Sequence, residues 1–257
     1  MLLAVDVGNS HMVLGLFKEA ELLWEWRVKT DRDCTIDELA VQLHSLFALR
    51  GISSSDISGV IIASVVPPIK SAWHSFSKKY FNLVPLVVSG SGLKTGMEVI
   101  TDNPDEVGAD RIVNSVAAYN RYPQPLIVVD FGTATTFDCV SGQGNYIGGA
   151  IAPGLAISLA ALGRKTAKLP EIDISSPPAR PIGTNTVSAI KSGVLYGYGG
   201  LVEGLVKEIK KQFSPDNPKV IATGGMAELI APYAPSLEKI DPMLTLKGLQ
   251  LLYEKNN

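Results

Sequence analysis

Cysteine is nearly missing from this chain. Only Cys34 and Cys139 occur in 257 residues, with neither metal-ligand spacing nor a disulfide framework, so both thiols are expected to be reduced, as in a reducing compartment. The three histidines, His11, His44 and His74, are scattered. An excess of either charge is missing too: Lys and Arg total 23 against 25 for Asp and Glu, and no basic run stands out, which argues against a nucleic-acid partner. No apolar stretch reaches the roughly 18 residues of a membrane span. The N-terminus lacks a cationic leader, and Asp6 interrupts its first hydrophobic run. No membrane partner and a cytoplasmic location are therefore expected. There is no GxxxxGK[ST] loop and no GxGxxG after a strand, so neither a P-loop nor a dinucleotide fold is indicated.

What is present is a globular composition, 46% hydrophobic and 19% charged, long enough for one large domain or two of about 100–150 residues. It is also a repeat. Val-Asp-x-Gly occurs in "LLAVDVGNS" and again in "LIVVDFGTATTFD", with Asp6 and Gly8 matching Asp130 and Gly132. In the first half, Leu2–Val5, Met12–Phe17 and the segment through "ELLWEWRV" read as strands. Thr35 with Glu38 makes a capping box for a helix presenting Leu39, Leu43, Leu46 and Phe47. "GVIIASVVPP" is a buried strand stopped by two prolines, a helix covers Trp73 to Tyr80, and "LVPLVVS" is a further strand. The second half repeats the plan: "LIVVD" pairs with "TTFDCV", "YIGGAIAPG" follows, and "KVIATGG" is the counterpart of "GVIIASVVP". The expected domains are residues 1–115 and 116–257, an α/β pair facing a cleft. Residues 165–186, "KTAKLPEIDISSPPARPIGTNT", read as an extended functional loop.

An Asp-x-Gly-[Asn/Thr] turn between strands has a definite chemistry. The glycine lets backbone N–H groups converge on an anion. Asn9, Ser10, Thr133, Thr135 and Thr136 add neutral donors, and an aspartate at a strand end can hold hydrated Mg²⁺. One such turn alone is equally an ordinary β-turn; two matched turns suggest a grip on nucleotide phosphates. "ATGGMAEL", containing Gly224, runs from a strand into a helix and fits either a nucleotide contact or a tight turn. In "TDNPDEVGADR", Pro104 and Asp105 open a helical pattern with Gly108 inside it. Asp110 could take a proton from a substrate hydroxyl and Arg111 could hold a carboxylate or phosphoryl group. An adjacent Asp and Arg on a helix are more commonly surface charges.

Taken in order, "DVGNS", "EVGADR", "DFGTATTFD", "GGAIAPG", "IGTNT" and "TGG" resemble the type III pantothenate kinase family over nearly the whole chain, to "DPMLTLKGL". The resemblance implies a pair of ribonuclease H-like domains of the acetate kinase, sugar kinase and actin superfamily, each a mixed five-stranded sheet with helices. It implies ATP-dependent phosphorylation of pantothenate, the first step towards coenzyme A. It assigns Asp6, Val7, Gly8, Asn9, Ser10, His11, Met12 and Val13 to the first phosphate loop, with Asp6 near Mg²⁺. It gives Thr133 and Gly224 to ATP, and Gly108, Ala109, Asp110, Arg111 and Thr186 to pantothenate. Asp110 becomes the general base and Asp130 the ligand of a monovalent cation, potassium or ammonium. A homodimer is implied, with Thr186 near its interface. Many members carry a tyrosine where this chain has Thr101, so an altered pantothenate pocket is expected.

Other features are expected to be structural. His11 reads as a solvated turn residue, Cys139 as core, and Trp24 and Trp26 as packing residues. On the helix from Ser188 to Phe213, Gly193, Gly197, Gly200 and Gly204 line one face, which fits packing on its own sheet or a subunit contact. The competing functions are a kinase of the same fold for another polyol or acid, and a nucleotide-dependent regulatory protein such as a transcription accessory factor. An actin-like filament subunit fits least.

Overall fold

The computed structural model describes residues 1–88, 93–165, 172–178 and 180–257. The chain divides into two units, residues 1–120 with 243–257, and residues 121–242. In the first, β1 (Leu2–Val7), β2 (His11–Lys18) and β3 (Glu21–Lys29) form an antiparallel meander. After α1 (Ile36–Ala48), β4 (Gly59–Ser64) returns parallel to β1 on its free side, and β5 (Leu86–Val87) pairs with β4. The order is β3-β2-β1-β4-β5. As the central strand, β1 is apolar over its first four residues and buried there, as a strand covered on both faces must be. The outer β3 is instead exposed at Glu21, Glu25, Arg27 and Lys29, charges that discourage pairing with another chain.

The capping box forms as expected: the Glu38 amide donates to Thr35 Oγ1 at 3.3 Å and the Thr35 amide to Glu38 Oε2 at 2.8 Å. It fixes α1 so that Leu39, Leu43 and Phe47 enter the core. The paired prolines stop β4 and also start α2 (Pro67–Phe76), because proline's missing N–H costs nothing in a first helical turn. Trp73 and Phe76 are buried on α2, which continues as one π-helical turn, Ser77–Phe81. "LVPLVVS" contributes only the two residues of β5, and its Ser89 lies outside the described residues. Residues Pro104–Glu106 form a short 3₁₀ turn, and α3 (Ala109–Arg121) starts separately. Gly108 therefore stands before a helix rather than inside one, because Val107 is extended at φ −72° and ψ 122°.

The second unit repeats this plan. Strands β6 (Leu126–Phe131), β7 (Ala134–Val140) and β8 (Tyr146–Pro153) make the meander, followed by α4 (Leu155–Lys165) and α5 (Thr186–Gln212). Then β9 (Lys219–Thr223) pairs parallel to β6, and β10 (Lys239–Ile240) pairs with β9 beyond the short α6 (Ala227–Ile230). The order β10-β9-β6-β7-β8 is that of the first sheet read from the other edge. The expected functional loop over 165–186 lies partly outside the described residues, which exclude 166–171 and 179.

The remaining helix, α7 (Leu244–Lys255), belongs to the first unit although it ends the chain. Leu244, Leu246, Leu249 and Leu252 are buried on it. A Cβ placed on Gly59 would lie 2.0 Å from the Tyr253 hydroxyl, and one on Gly248 2.6 Å from the Val113 carbonyl. The expected boundary at residue 115 differs from this division in two ways: α3 stays with the first unit as far as Asn120, and α7 returns to it.

Candidate active site

In the first unit Asp6 sits at the carboxyl end of β1, opposite Val13 on β2 and Ala63 on β4. Asn9, Ser10 and His11 are exposed at the turn, while Val7 and Met12 are buried. Met12 is held by Trp73, whose Nε1 donates to its Sδ at 3.4 Å. Side chains of Val7 and Met12 therefore serve the core, and their share in a phosphate loop is limited to the main chain. The Gly8 amide donates to the His11 carbonyl at 3.0 Å and closes the turn. The segment after β3 joins it: Thr30 Oγ1 donates to the Gly8 carbonyl at 2.7 Å, and Arg32 Nη2 donates to Asn9 Oδ1 at 2.9 Å. Neither Thr30 nor Arg32 carries a sequence signal for this contact.

Gly108 to Arg111 bring a carboxylate to the first turn of α3. The Asp110 Oδ1 accepts from the Arg111 amide at 2.9 Å, so a helix start, which favours anions, holds it. A Cβ on Gly108 would lie 2.5 Å from that same Oδ1. Glycine thus leaves the room into which the carboxylate folds. Burial pushes the Asp110 carboxyl above the ordinary 3.8, against the opposing pull of the Arg111 amide and charge. A carboxylate made more basic by desolvation is suited to take a proton. Thr101, in the same segment, has a buried Oγ1 with no hydrogen-bond partner.

In the second unit Asp130 lies one residue before the end of β6, opposite Thr136 on β7 and Thr223 on β9. Gly224 follows Thr223 with φ +89°, and a Cβ there would lie 2.4 Å from Asp130 Oδ1 and 2.6 Å from the Phe131 amide. The glycine is required by the protein's own carboxylate as much as by any ligand. The Gly132 amide donates to the Ala134 carbonyl at 3.0 Å, and the Gly154 amide to the Thr133 carbonyl at 3.1 Å, joining the end of β8 to the β6–β7 turn at Thr133. Beneath lies a polar group that the sequence reading passed over as strand material. Asp138, fully buried, accepts from the Tyr146 hydroxyl at 2.9 Å and from Thr136 Oγ1 at 3.0 Å.

Thr186 is exposed at the first turn of α5, where Asn185 and Ser188 form a capping box. Among the described residues no three His, Cys, Asp or Glu side chains gather as a metal site. Mg²⁺ does not require such a cage: it is commonly held by one or two carboxylates with phosphates and water. Asp6, half-buried at a strand end beside an exposed turn, fits that donor set. Asp130, half-buried near the end of β6, offers one carboxylate, an oxygen donor of the kind a hard cation takes.

Solved structures share this fold. The Acidaminococcus fermentans (R)-2-hydroxyglutaryl-CoA dehydratase component A matches with a TM-score of 0.56 and 14% identity, covering 99% of this chain and 98% of its own. A Campylobacter jejuni protein named for the Baf family of transcriptional activators matches with a TM-score of 0.61 and 17% identity over 98% of both chains. A Porphyromonas gingivalis protein named for N-acetylglucosamine kinase matches with a TM-score of 0.54 and 13% identity, covering 100% and 99%. Two mixed five-stranded sheets of equivalent order, each with an aspartate next to last in its central strand, are the α/β fold of actin-like ATPases and sugar kinases. The profile of the type III pantothenate kinase family matches residues 2–208. Proteins named type III pantothenate kinase from Citrifermentans bemidjiense and Geotalea uraniireducens are 52% and 53% identical over 256 residues, covering 100% of this chain and 100% and 99% of theirs. The chain belongs to this family. Among the described residues no helix is long and apolar enough to cross a membrane.

Proposed function

We propose that the protein transfers the terminal phosphoryl group of ATP to the primary hydroxyl of pantothenate, the first committed phosphorylation on the way to coenzyme A. The observation that carries this reading is the full-length similarity to proteins of that name; the raised carboxyl of Asp110, held by the Arg111 amide, supports a base there. In the reaction, the substrate oxygen attacks the γ-phosphorus in line with the departing ADP oxygen. One O–P bond forms, the bond to ADP breaks, and Asp110 receives the hydroxyl proton. Arg111 holds the pantothenate carboxylate, with Gly108, Ala109 and Thr186 as further substrate contacts. The turn Asp6–Val13 offers donors to the phosphates, and Thr133 and Gly224 offer the second set. Asp6 would hold Mg²⁺ and Asp130 a potassium or ammonium ion; bound there, the cations offset phosphate charge. Positioning and fixed electrostatics supply most of the rate. Mass spectrometry of the acceptor after incubation with ATP tests the reading: phosphorylated pantothenate supports it, and unchanged pantothenate beside intact ATP binding refutes it.

We infer a homodimer as well. The outer strand β8 of the second sheet carries exposed Ile147 and Ile151, the latter 65% exposed. Exposed Ile157 and Leu162 lie on α4, and Val187 and Tyr196 on α5. Tyr198 ties these elements together, donating to the Pro153 carbonyl at 3.0 Å and meeting Ser158 Oγ at 2.7 Å. Gly193, Gly197, Gly200 and Gly204 would each accept a Cβ without any neighbour within 4 Å, whereas a Cβ on Gly199 would meet the Tyr233 carbonyl at 2.3 Å. Those four glycines are not explained by packing within the chain. An apolar edge and a smooth helix face fit a second copy, and light scattering in solution tests it. A strictly monomeric protein at micromolar concentration would contradict it.

A further inference from the structure

The turn that would receive phosphate is shaped from outside by the residues after β3. Those residues occupy three acceptor oxygens of the turn, and an acceptor left open beside an anion would repel it. The Gly8 carbonyl accepts from Thr30 Oγ1 at 2.7 Å, the Ser10 carbonyl from the Thr30 amide at 3.0 Å, and Asn9 Oδ1 from Arg32 Nη2 at 2.9 Å. Thr30 is buried, and Arg32 and Asn9 are exposed. The third contact has a directional consequence. A guanidinium has no acceptor, so it engages an amide side chain through oxygen alone. With Oδ1 held by Arg32, the Asn9 amide nitrogen keeps its N–H donors for an acceptor-only ligand. The same contact brings a permanent positive charge to the turn.

We propose that Arg32 is a positioning residue for the nucleotide: it orients Asn9 so that its amide N–H groups face the phosphate oxygens, while Thr30 removes the carbonyls that would oppose them. The proposal rests on the reading of the Asp6–Val13 turn as an ATP-binding loop. The Arg32–Asn9 hydrogen bond is exposed, and such bonds contribute little to folding. Its effect is therefore expected in ligand affinity rather than in stability.

The test is calorimetric binding of Mg-ATP, without acceptor, to the whole protein and to Arg32→Ala, Arg32→Lys, Asn9→Ala and the Arg32→Ala/Asn9→Ala pair, with thermal unfolding of each. Arg32→Ala and Asn9→Ala are each expected to weaken ATP by roughly five- to tenfold, the scale of one oriented hydrogen bond to a charged ligand. The pair should be no weaker than the weaker single variant, because Arg32 acts through Asn9. Arg32→Lys, which can still donate one N–H, should recover most of the affinity. Unchanged ATP affinity in Arg32→Ala would overturn the proposal. So would multiplicative losses in the pair, which make Arg32 an independent contact, or failure of Arg32→Ala to fold, which makes its role structural. Because binding is read without acceptor, loss of the pantothenate reading would leave this result intact. Turnover of pantothenate with ATP affinity indifferent to Arg32 would overturn this inference alone.

Discussion

Replacing Asp110 by asparagine separates proton acceptance from shape. Asparagine keeps an oxygen that can accept the Arg111 amide, bound at 2.9 Å by the native carboxylate, and fits the room left by Gly108. What it loses is the basic oxygen pair. A positioned general base contributes about 10²–10⁴-fold, or about 2.7–5.4 kcal/mol at about 1.36 kcal/mol per tenfold. Pantothenate-dependent ADP release should fall by that factor at saturating substrates while Mg-ATP affinity stays near wild type. Stability should move the other way. The folded Asp110 carboxyl sits above its ordinary 3.8 because burial disfavours its charge. Folding is therefore penalised above the unfolded-state value, fully so once pH exceeds the folded value, and the penalty vanishes in more acidic solution. Asp110→Asn should raise the unfolding midpoint at neutral pH, and the gain should disappear as pH falls towards 3.8. Wild-type kcat/KM should lose activity on an acid limb above 3.8 that the variant lacks. Turnover within about fivefold of wild type would refute the base assignment.

Other outcomes follow from the packing. Gly108→Ala would set a Cβ 2.5 Å from Asp110 Oδ1, so the carboxylate must leave its place; kcat should fall well below wild type with ATP affinity retained, measured by the same coupled assay and calorimetry. Gly224→Ala combines φ +89° with a 2.4 Å approach to Asp130, and denaturant unfolding should show a loss of about 1–3 kcal/mol or more. Gly199→Ala, meeting the Tyr233 carbonyl at 2.3 Å, should also destabilise. Gly197→Leu, with nothing within 4 Å, should leave the folded chain intact and shift light scattering towards monomer.

The duplication was legible because Val-Asp-x-Gly, followed by strand, turn and strand, prescribes a local geometry that both halves adopt. Asp6 and Asp130 stood out for the same reason: each is a carboxylate near the end of an apolar run, at matched positions of the two halves. Asp110 gained its meaning from the string around it, since an Asp-Arg pair alone does not reveal that Val107 turns extended and leaves Gly108 open. Helix α7 was not read from the sequence, nor was its place on the first sheet, because return of the chain end to β1 and β4 is a long-range fact. The hold of Thr30 and Arg32 on the turn depends on the β2–β3 register, which shifts between Leu16 and Phe17, and no local pattern encodes that. Asp138 was hidden by a strand alternation in which one buried position is polar and finds Tyr146 eight residues away.

The most direct test of the account is coupled ADP release from Mg-ATP with pantothenate as acceptor, in potassium and in sodium salts. Turnover should require pantothenate, rise when potassium replaces sodium, and lose that rise in Asp130→Ala. A folded protein that binds ATP yet releases no ADP in either salt would contradict it.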